Sequence, residues 1–228
     1  MNVRLSCPFA GNLTMSVFFS TEPPPADPRL AELWASLEAE AFSDAAALAE
    51  DASLDPRAPV EWFCGLSLAY GELGDYAGAE TVARTALSFR ERPWRVRHAL
   101  AVALMHQGRF LGALDALGYH RAPPEILVVR AQVELMGGYT EGLAVTLEGA
   151  RDLNVPPAIA LILAFLAAAL AEATGDRAGW QDAVARARQH GDAIRVWERD
   201  AGRHRATPYG ELLAAQISTL HGWLAPER

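Results

Sequence analysis

The fold of this chain is decided by GDYAGAE at residues 74–80, because related stretches recur along the sequence. GRFLGAL lies at 108–114, GGYTEGL at 137–143, and a looser copy, GWQDAV, at 179–184. The copies share a Gly, an aromatic residue two places later and a small residue five places later, and the fourth matches from its aromatic onward. They are separated by about 34, 29 and 41 residues. Such a period indicates a helical repeat protein.

Each of the first three copies follows a segment whose apolar residues have helical spacing. These residues are Phe63, Leu66, Tyr70 and Leu73 before the first copy, Leu100 and Leu104 before the second, and Ile126, Val129 and Val133 before the third. Gly adopts a left-handed C-cap without steric cost, so each Gly is predicted to end one helix and reverse the chain. The small residue that follows, such as Ala79 or Ala113, is expected where the paired helices pack most closely.

A helix–turn–helix unit of about 34 residues resembles the tetratricopeptide repeat (TPR) family. The match is closest at residues 59–92, which carry Phe63, Leu66, Tyr70, Gly74, Tyr76, Ala79 and Ala86, with Pro93 just beyond. Later units depart from the pattern, since His120 replaces a small residue and about three residues are inserted around 175–178. The resemblance implies an all-α fold, a right-handed α-solenoid of stacked antiparallel helix hairpins.

The repeat and the prolines divide the chain into three parts. Residues 28–190 are predicted to be TPR-like repeats, in units at 28–56 (degenerate), 59–92, 94–121, 123–154 and 156–190. Residues 1–27 end in a proline-rich stretch and are predicted to be a flexible segment, with Met15 as an alternative translation start. Residues 191–228 are predicted to be capping helices, the last of them beginning at Thr207-Pro208, because a solenoid needs a terminal unit that covers its open face.

The composition excludes several classes of protein. The 228 residues are 51% hydrophobic and 21% charged, which argues against a disordered chain, and two Cys cannot form a disulfide scaffold. Alanine, the best helix former, supplies 44 residues, and there is no lysine. The net charge of −8 argues against general nucleic-acid binding. Residues 1–92 account for all of that net charge, since 93–228 hold 14 acids and 14 Arg.

The sequence contains no recognisable catalytic or metal-binding motif. GxGxxG, GxxxxGK[ST] and HExxH are absent, and no two of the six His stand four residues apart. GLSLA at 65–69 approaches the nucleophile motif GxSxG but lacks its second Gly and lies inside a predicted helix. Ser67 is therefore interpreted as a packing residue and Cys64 as a small buried apolar one. We expect a protein that is not an enzyme and needs no cofactor or metal.

The resemblance implies that ligands contact the first helix of each unit, which lines a concave groove in the family. The corresponding positions are Glu61, Cys64, Leu68 and Glu72 in the first well-matched unit, Arg95, His98, Val102, Met105 and His106 in the next, and Leu127 and Glu134 in the third. An apolar centre with charged flanks suits a helix or an extended peptide, while ordinary packing is the alternative for each residue. The carboxylate clamp of some family members needs Lys and Asn. Because the sequence has no Lys, and Leu68 and Val102 stand at the Asn places, this clamp is not expected.

A second candidate surface is an Arg-rich stretch near the C-terminus. It contains Arg186, Arg188, Arg195, Arg199, Arg203 and Arg205. One interpretation is a patch that contacts an acidic partner or the phosphates of nucleic acid. The favoured alternative is a solvated helix face on which Arg pairs with nearby acids such as Asp182 and Asp192.

The leading hypothesis is a cytoplasmic, non-enzymatic adaptor whose groove binds a protein or peptide partner. One alternative is a regulatory module that uses the Arg-rich stretch, with nucleic acid an unfavoured partner. Another is a small-ligand or enzymatic role, which predicts a deep apolar pocket. A further alternative is self-association, in which a second copy or Val17-Phe18-Phe19 of the N-terminal segment fills the groove.

Neither a membrane span nor a signal peptide is expected. Ala158–Ala171 is apolar over 14 residues, which suits a core helix better than a membrane span. Pro8, Gly11 and Asn12 interrupt the apolar run near the N-terminus, where a signal peptide needs it unbroken. These features predict a protein that makes no contact with the membrane.

Overall fold

A computed structural model describes residues 27–39, 41–53, 58–89, 94–118, 124–203 and 208–225. Within these ranges the chain forms twelve α-helices and no β-strand, which confirms the all-α prediction. The helices belong to two compact units, a first unit spanning Glu22–His120 and a second unit built from Arg121–Arg228. Met15 and Val17-Phe18-Phe19 lie outside the described residues, whereas Asp27 caps the first helix by accepting a hydrogen bond from the Arg29 N–H (2.9 Å).

The first unit contains α1 (Pro28–Glu38), α2 (Phe42–Ser53), α3 (Val60–Glu72), α4 (Tyr76–Phe89), α5 (Trp94–His106) and α6 (Phe110–Leu117). Helices adjacent in sequence pack against each other, and alternate helices do so as well, α1 on α3 and α3 on α5. This pattern is expected of helix hairpins laid side by side. Because four helices surround α3, its residues from Trp62 to Ala69 are all buried.

Ser67 and Cys64 lie in the middle of α3 and are buried, as predicted from the sequence. Ser67 is 3% exposed, and its hydroxyl donates a hydrogen bond to the Ala79 carbonyl of α4 (3.0 Å). Cys64 is a free thiol that is 1% exposed, and burial raises its pKa. A thiol kept protonated in this way is an inert packing group.

The second unit contains α7 (Pro124–Gly137), α8 (Thr140–Ala150), α9 (Pro157–Thr174), α10 (Arg177–Arg188), α11 (Gly191–Arg203) and α12 (Pro208–Leu224). Its core is built on α9, where Ile159, Leu161, Ile162, Phe165 and Leu166 are at most 1% exposed. Among the described helices, α9 alone is long and apolar enough to span a membrane by length and composition, and half of its residues are buried. That burial matches the core helix predicted for Ala158–Ala171.

Four turns between paired helices have the same hydrogen bonds. At the first, the Gly74 N–H donates to the Gly71 carbonyl (3.1 Å) and the Asp75 N–H to the Tyr70 carbonyl (2.8 Å). The same pair of bonds recurs at Gly108, Gly138 and Gly175. All four Gly have φ between +72° and +81°, a left-handed conformation in which a side chain is strained. These are Schellman C-caps, as the sequence predicted for Gly74 and Gly108.

The sequence prediction of the third turn is wrong by one residue, and the fourth copy, which was matched from Trp180 onward, is out of register by three residues. Gly137 ends α7 and Gly179 lies in the first turn of α10, so Gly138 and Gly175 make the turns. The insertion predicted around 175–178 is also wrong. The extra residues lie in α9, which has 18 residues where α5 has 13. In the corrected register, a second Gly follows each turn Gly by four places, at 78, 112, 142 and 179.

The last helix covers the core of the second unit. It begins at Pro208, as predicted, and its Ile217 and Leu220 are buried in the hydrophobic cluster that contains Phe165. The centre of the Trp223 ring lies 4.9 Å from that of Phe165 and 6.5 Å from that of Trp180. These contacts fit the role of a terminal cap.

Candidate functional site

The groove positions predicted in the first unit lie on α3 and α5, and most of their side chains are buried. Those that are at most 6% exposed are Cys64, Leu68, His98, Val102 and Met105. Those that are partly exposed are Glu61, Glu72, Arg95 and His106. A partner that approaches this face meets the partly exposed rim before the apolar residues. The partner-binding role of these residues stays a prediction.

The rim of this face holds an Arg between an acid and an aromatic ring. Arg95 Nη1 lies 4.0 Å from Glu61 Oε1, and the guanidinium carbon lies 5.6 Å from the centre of the Trp94 ring. Ionic and cation–π attraction both restrain the guanidinium. A restrained Arg can donate hydrogen bonds to a further carbonyl or carboxylate with a smaller loss of side-chain entropy than a mobile one.

The two His of this face are mainly neutral at pH 7. Burial lowers the pKa of His98 to about 4 and also lowers the pKa of His106. The His106 ring stacks on Tyr76 with centroids 4.6 Å apart, and the His98 ring meets Trp94 edge-on at 6.4 Å. Both imidazoles therefore contribute aromatic packing, and Arg95 is the cation among the predicted positions of this unit.

The two predicted positions in the second unit, Leu127 and Glu134, are both on α7. Leu127 packs against the hydrophobic cluster that contains Phe165. Glu134 is 4% exposed, and its Oε1 lies 3.8 Å from Arg130 Nη1. Burial raises the pKa of Glu134, and a hydrogen bond with Thr146 and the charge of Arg130 offset only part of that rise. Glu134 is thus a buried, partnered acid within its own unit.

Most described members of the Arg-rich stretch have partners within the second unit. Arg186 Nε lies 3.3 Å from Asp182 Oδ2, Arg195 pairs with Asp192, and Arg188 Nη2 donates to a backbone carbonyl of α12 (3.3 Å). Pairs of this kind, three or four residues apart, fit the alternative of a solvated helix face. Arg199 is exposed, and the side chains of Arg203 and Arg205 lie outside the described residues.

The second unit also has an open groove that was not predicted from the sequence. The α8–α10 groove has a volume of about 430 Å³ and lies between α8 and α10, over the surface of α9. Its floor is apolar and is formed by Ala144 and Leu147 of α8 and by Ala167, Leu170 and Ala171 of α9.

Charged side chains form the rim of the α8–α10 groove. At one end stand Glu148, Arg151, Asp182 and Arg186, which we call the Asp182 cluster. In it Arg151 Nη2 lies 2.9 Å from Asp182 Oδ2 and Arg151 Nη1 lies 3.6 Å from Glu148 Oε2. Glu141 and Asp176 stand at the other end, and neither forms an ion pair within the described residues. The rim therefore has a paired end and an end with unneutralised carboxylates.

The corrected register shows why this groove is open. When Gly74 is aligned with Gly138 and Gly108 with Gly175, each residue of the first unit is matched with its counterpart in the second. Tyr76, Glu80, Gln107 and Arg109 then correspond to Thr140, Ala144, Thr174 and Asp176. The larger side chains of the first unit are replaced by shorter ones in the second. The sequence carried this signal, but only in a register that the turns reveal.

In the first unit these residues form a network that joins α4 to the turn before α6. Gln107 Nε2 donates to the Tyr76 carbonyl (3.1 Å) and to Glu80 Oε2 (2.9 Å). Arg109 Nη1 lies 2.7 Å from both carboxylate oxygens of Glu80, and Arg84 Nε donates to Oε1 at 2.9 Å. We call this set the Glu80 cluster. It occupies the place that is open in the second unit.

Comparisons with known proteins name no family for the chain. No protein-family model matches it, and no curated protein matches it significantly. In the described part of the chain, no group of three or more His, Cys, Asp or Glu is placed to hold a metal ion.

Proposed function

We propose that this protein is a non-enzymatic, cytoplasmic scaffold that binds a protein or peptide partner, and that the hairpins of each unit stack as a TPR-like right-handed α-solenoid. The observation that carries the proposal is the repetition of one hairpin turn at Gly74, Gly108, Gly138 and Gly175. Repeated hairpins present side chains in series along extended surfaces, and such surfaces suit the binding of peptide segments. The free, buried thiol of Cys64 fits a reducing compartment.

Two surfaces support recognition rather than chemistry. The α3 and α5 face has Arg95 restrained by Glu61 and Trp94. The α8–α10 groove combines an apolar floor with a charged rim, a combination that gives both affinity and orientation to a bound segment.

The alternatives have less support. Arg186 and Arg195 of the Arg-rich stretch already pair with acids of their own helices, which leaves less charge for an acidic partner. A small-ligand role predicted a deep apolar pocket, whereas the α8–α10 groove is open and has an ionic rim. Self-association is a separate outcome that light scattering on the full chain measures directly.

The proposal is tested by affinity purification of the full chain with mass spectrometry, comparing wild type with Arg95→Glu. Arg177→Glu is the matched control, because Arg177 is exposed and has no ion pair within the described residues. We expect a partner that wild type and the control capture and that Arg95→Glu loses. Circular dichroism checks that all three proteins fold.

A captured partner must then bind the purified chain saturably in solution. Absence of saturable binding by any captured protein would contradict the scaffold proposal. A partner that binds Arg95→Glu as well as wild type would move the site away from the α3 and α5 face.

A further inference from the structure

We propose that the α8–α10 groove is a docking site for a basic segment of a partner protein. In this arrangement an Arg or Lys side chain lies along the apolar floor and places its charge beside Glu141 and Asp176. The inference rests on the proposed function, because it names the partner chemistry of one surface of the scaffold. That surface is distinct from the α3 and α5 face that the sequence indicated.

The groove lies where larger side chains of the repeat are replaced by smaller ones. Ala144 and Thr174 stand where the first unit has Glu80 and Gln107. On the helix below, Ala167 and Ala171 of α9 correspond to Leu100 and Leu104 of α5, which are 6% and 2% exposed. The chain's own side chains therefore do not fill the volume of about 430 Å³. That volume lies in the range of sites that bind ligands.

The floor of the groove is apolar. Leu147 and Leu170 are partly buried, and Ala144, Ala167 and Ala171 add small apolar surface around them. The methylene stem of Arg or Lys, or an aliphatic neighbour in the same segment, gains free energy by covering such a surface. A purely hydrophilic ligand would leave it exposed to water.

The groove carries a surplus of negative charge. Four carboxylates and two Arg line the groove, so its formal charge is −2. Both Arg are engaged in the Asp182 cluster, Arg151 with Asp182 and Glu148, and Arg186 with Asp182. The surplus negative charge therefore lies at the other end, at Glu141 and Asp176. This favours a cation and disfavours phosphate groups, including those of nucleic acid.

In the first unit a cation already stands in the corresponding place. Arg109 is in the turn before α6, and its Nη1 lies 2.7 Å from Glu80 Oε1. In the second unit the turn residue is Asp176, whose Oδ1 accepts a hydrogen bond from the Gly179 N–H at 2.9 Å. Among the described residues, no Arg lines the open end of the groove, and a basic side chain from a partner supplies a cation there.

The experiment measures the binding of a short fluorescent peptide to the full chain by anisotropy. The probe is an Ala-based helical peptide with two Arg and two Leu on one face, and its control has Glu in place of both Arg. We expect the Arg peptide to bind at least about tenfold more tightly than the Glu peptide, and its binding to weaken as salt is raised. Equal affinity for the two peptides would overturn the inference.

A graft variant tests the place of binding. Ala144→Glu, Thr174→Gln and Asp176→Arg together introduce the counterparts of Glu80, Gln107 and Arg109 and are designed to close the groove with the chain's own side chains. We expect this variant to bind the Arg peptide at least about tenfold more weakly than wild type does. Ala185→Glu is the matched control, since Ala185 is exposed on α10 outside the groove, and it keeps wild-type affinity. A graft variant that binds as tightly as wild type would overturn the inference.

A charge variant keeps the test decisive even where the graft does not fold. Glu141→Gln removes one exposed carboxylate and is expected to weaken binding of the Arg peptide about two- to fivefold. Unchanged affinity in this variant would count against the placement of the cation.

The outcomes for this site and for the scaffold are separable. If wild type does not bind the Arg peptide, the inference about the groove is overturned. The scaffold proposal still holds in that case if a partner is captured whose binding depends on Arg95. In the opposite outcome, wild type binds the Arg peptide, the graft variant does not, and no partner depends on Arg95. That result supports the groove as a docking site and contradicts the proposal that the α3 and α5 face binds a partner.

Discussion

The stretch from α4 to α6 in the first unit and the stretch from α8 to α10 in the second have the same backbone plan and different surfaces. Each contains two second helices of successive hairpins with a first helix between them, and the turns that set the register carry identical hydrogen bonds. In the first, Glu80 and Arg109 meet at 2.7 Å. In the second, Ala144 and Asp176 occupy those positions beside an opening of about 430 Å³. The repeat thus sets the backbone, while a few side chains decide whether its surface is closed or open.

The acids at the centre of the two Arg clusters differ in their surroundings. The Glu80 side chain is 13% exposed and contacts Arg84, Gln107 and Arg109, whereas the Asp182 side chain is 49% exposed. Burial raises the pKa of Glu80, but hydrogen bonds from Gln107, Arg109 and Arg84 outweigh it, and the pKa is lowered. The Glu80 cluster therefore holds neighbouring hairpins of the first unit together, whereas the Asp182 cluster is a solvated rim of ion pairs in the second unit.

The largest effect is expected from removing the centre of the Glu80 cluster. Glu80→Ala takes away the acceptor shared by two Arg and one Gln, and we expect it to lower the free energy of unfolding by about 2 kcal/mol. Urea denaturation followed by circular dichroism measures this. A loss no larger than that of a substitution at an exposed position would show that the cluster does not hold the hairpins together.

Acid should weaken the same link. Because the folded pKa of Glu80 is lowered from 4.5, its stabilisation is complete above about pH 4.5 and is lost as the pH falls through the lowered value. The difference in unfolding free energy between wild type and Glu80→Gln should therefore be constant from neutral pH to about pH 5 and should shrink at lower pH. A difference that grows on acidification would show that folding raises the pKa of Glu80 instead of lowering it.

A pair of double-mutant cycles compares the two clusters directly. The coupling between Glu80 and Arg109 is expected to be about 1 kcal/mol, because the acid is largely buried and both of its carboxylate oxygens lie 2.7 Å from Arg109 Nη1. The coupling between Asp182 and Arg151 is expected to fall within the error of the unfolding curves, since both side chains are about half exposed. Equal couplings in the two cycles would remove the distinction between structural link and solvated rim.

The smallest effect is expected from Asp182→Ala. We expect its melting temperature to lie within about 2 °C of wild type and to differ even less at high salt, because exposed ion pairs are screened. A clearly larger change would show that the Asp182 cluster, like the Glu80 cluster, is part of the packing.

Local features were predictable because they depend on a few neighbouring residues. The turns at Gly74 and Gly108, the start of α12 at Pro208 and the burial of Cys64 all follow the sequence prediction. A left-handed C-cap selects Gly, and the first turn of a helix tolerates Pro. The turns at Gly138 and Gly175 were misplaced, because adjacent Gly and a longer first helix gave the pattern more than one register.

The surface was less predictable than the backbone. The resemblance offered Cys64, Leu68 and His98 as groove residues, yet each is at most 5% exposed. Exposure depends on what packs against a helix from other parts of the chain, and positions within a repeat do not encode that.

The sequence by itself determined that the chain is helical, that its hairpins repeat and that Gly ends their first helices, since these properties follow from helical periodicity and from backbone sterics. Only the tertiary structure decided which positions correspond between hairpins. In that correspondence Glu80 matches Ala144 and Arg109 matches Asp176. The first unit therefore has a closed ionic network where the second has an open acidic groove. The reason is physical, because an opening is a property of several helices at once and depends on side-chain volume at positions far apart in sequence.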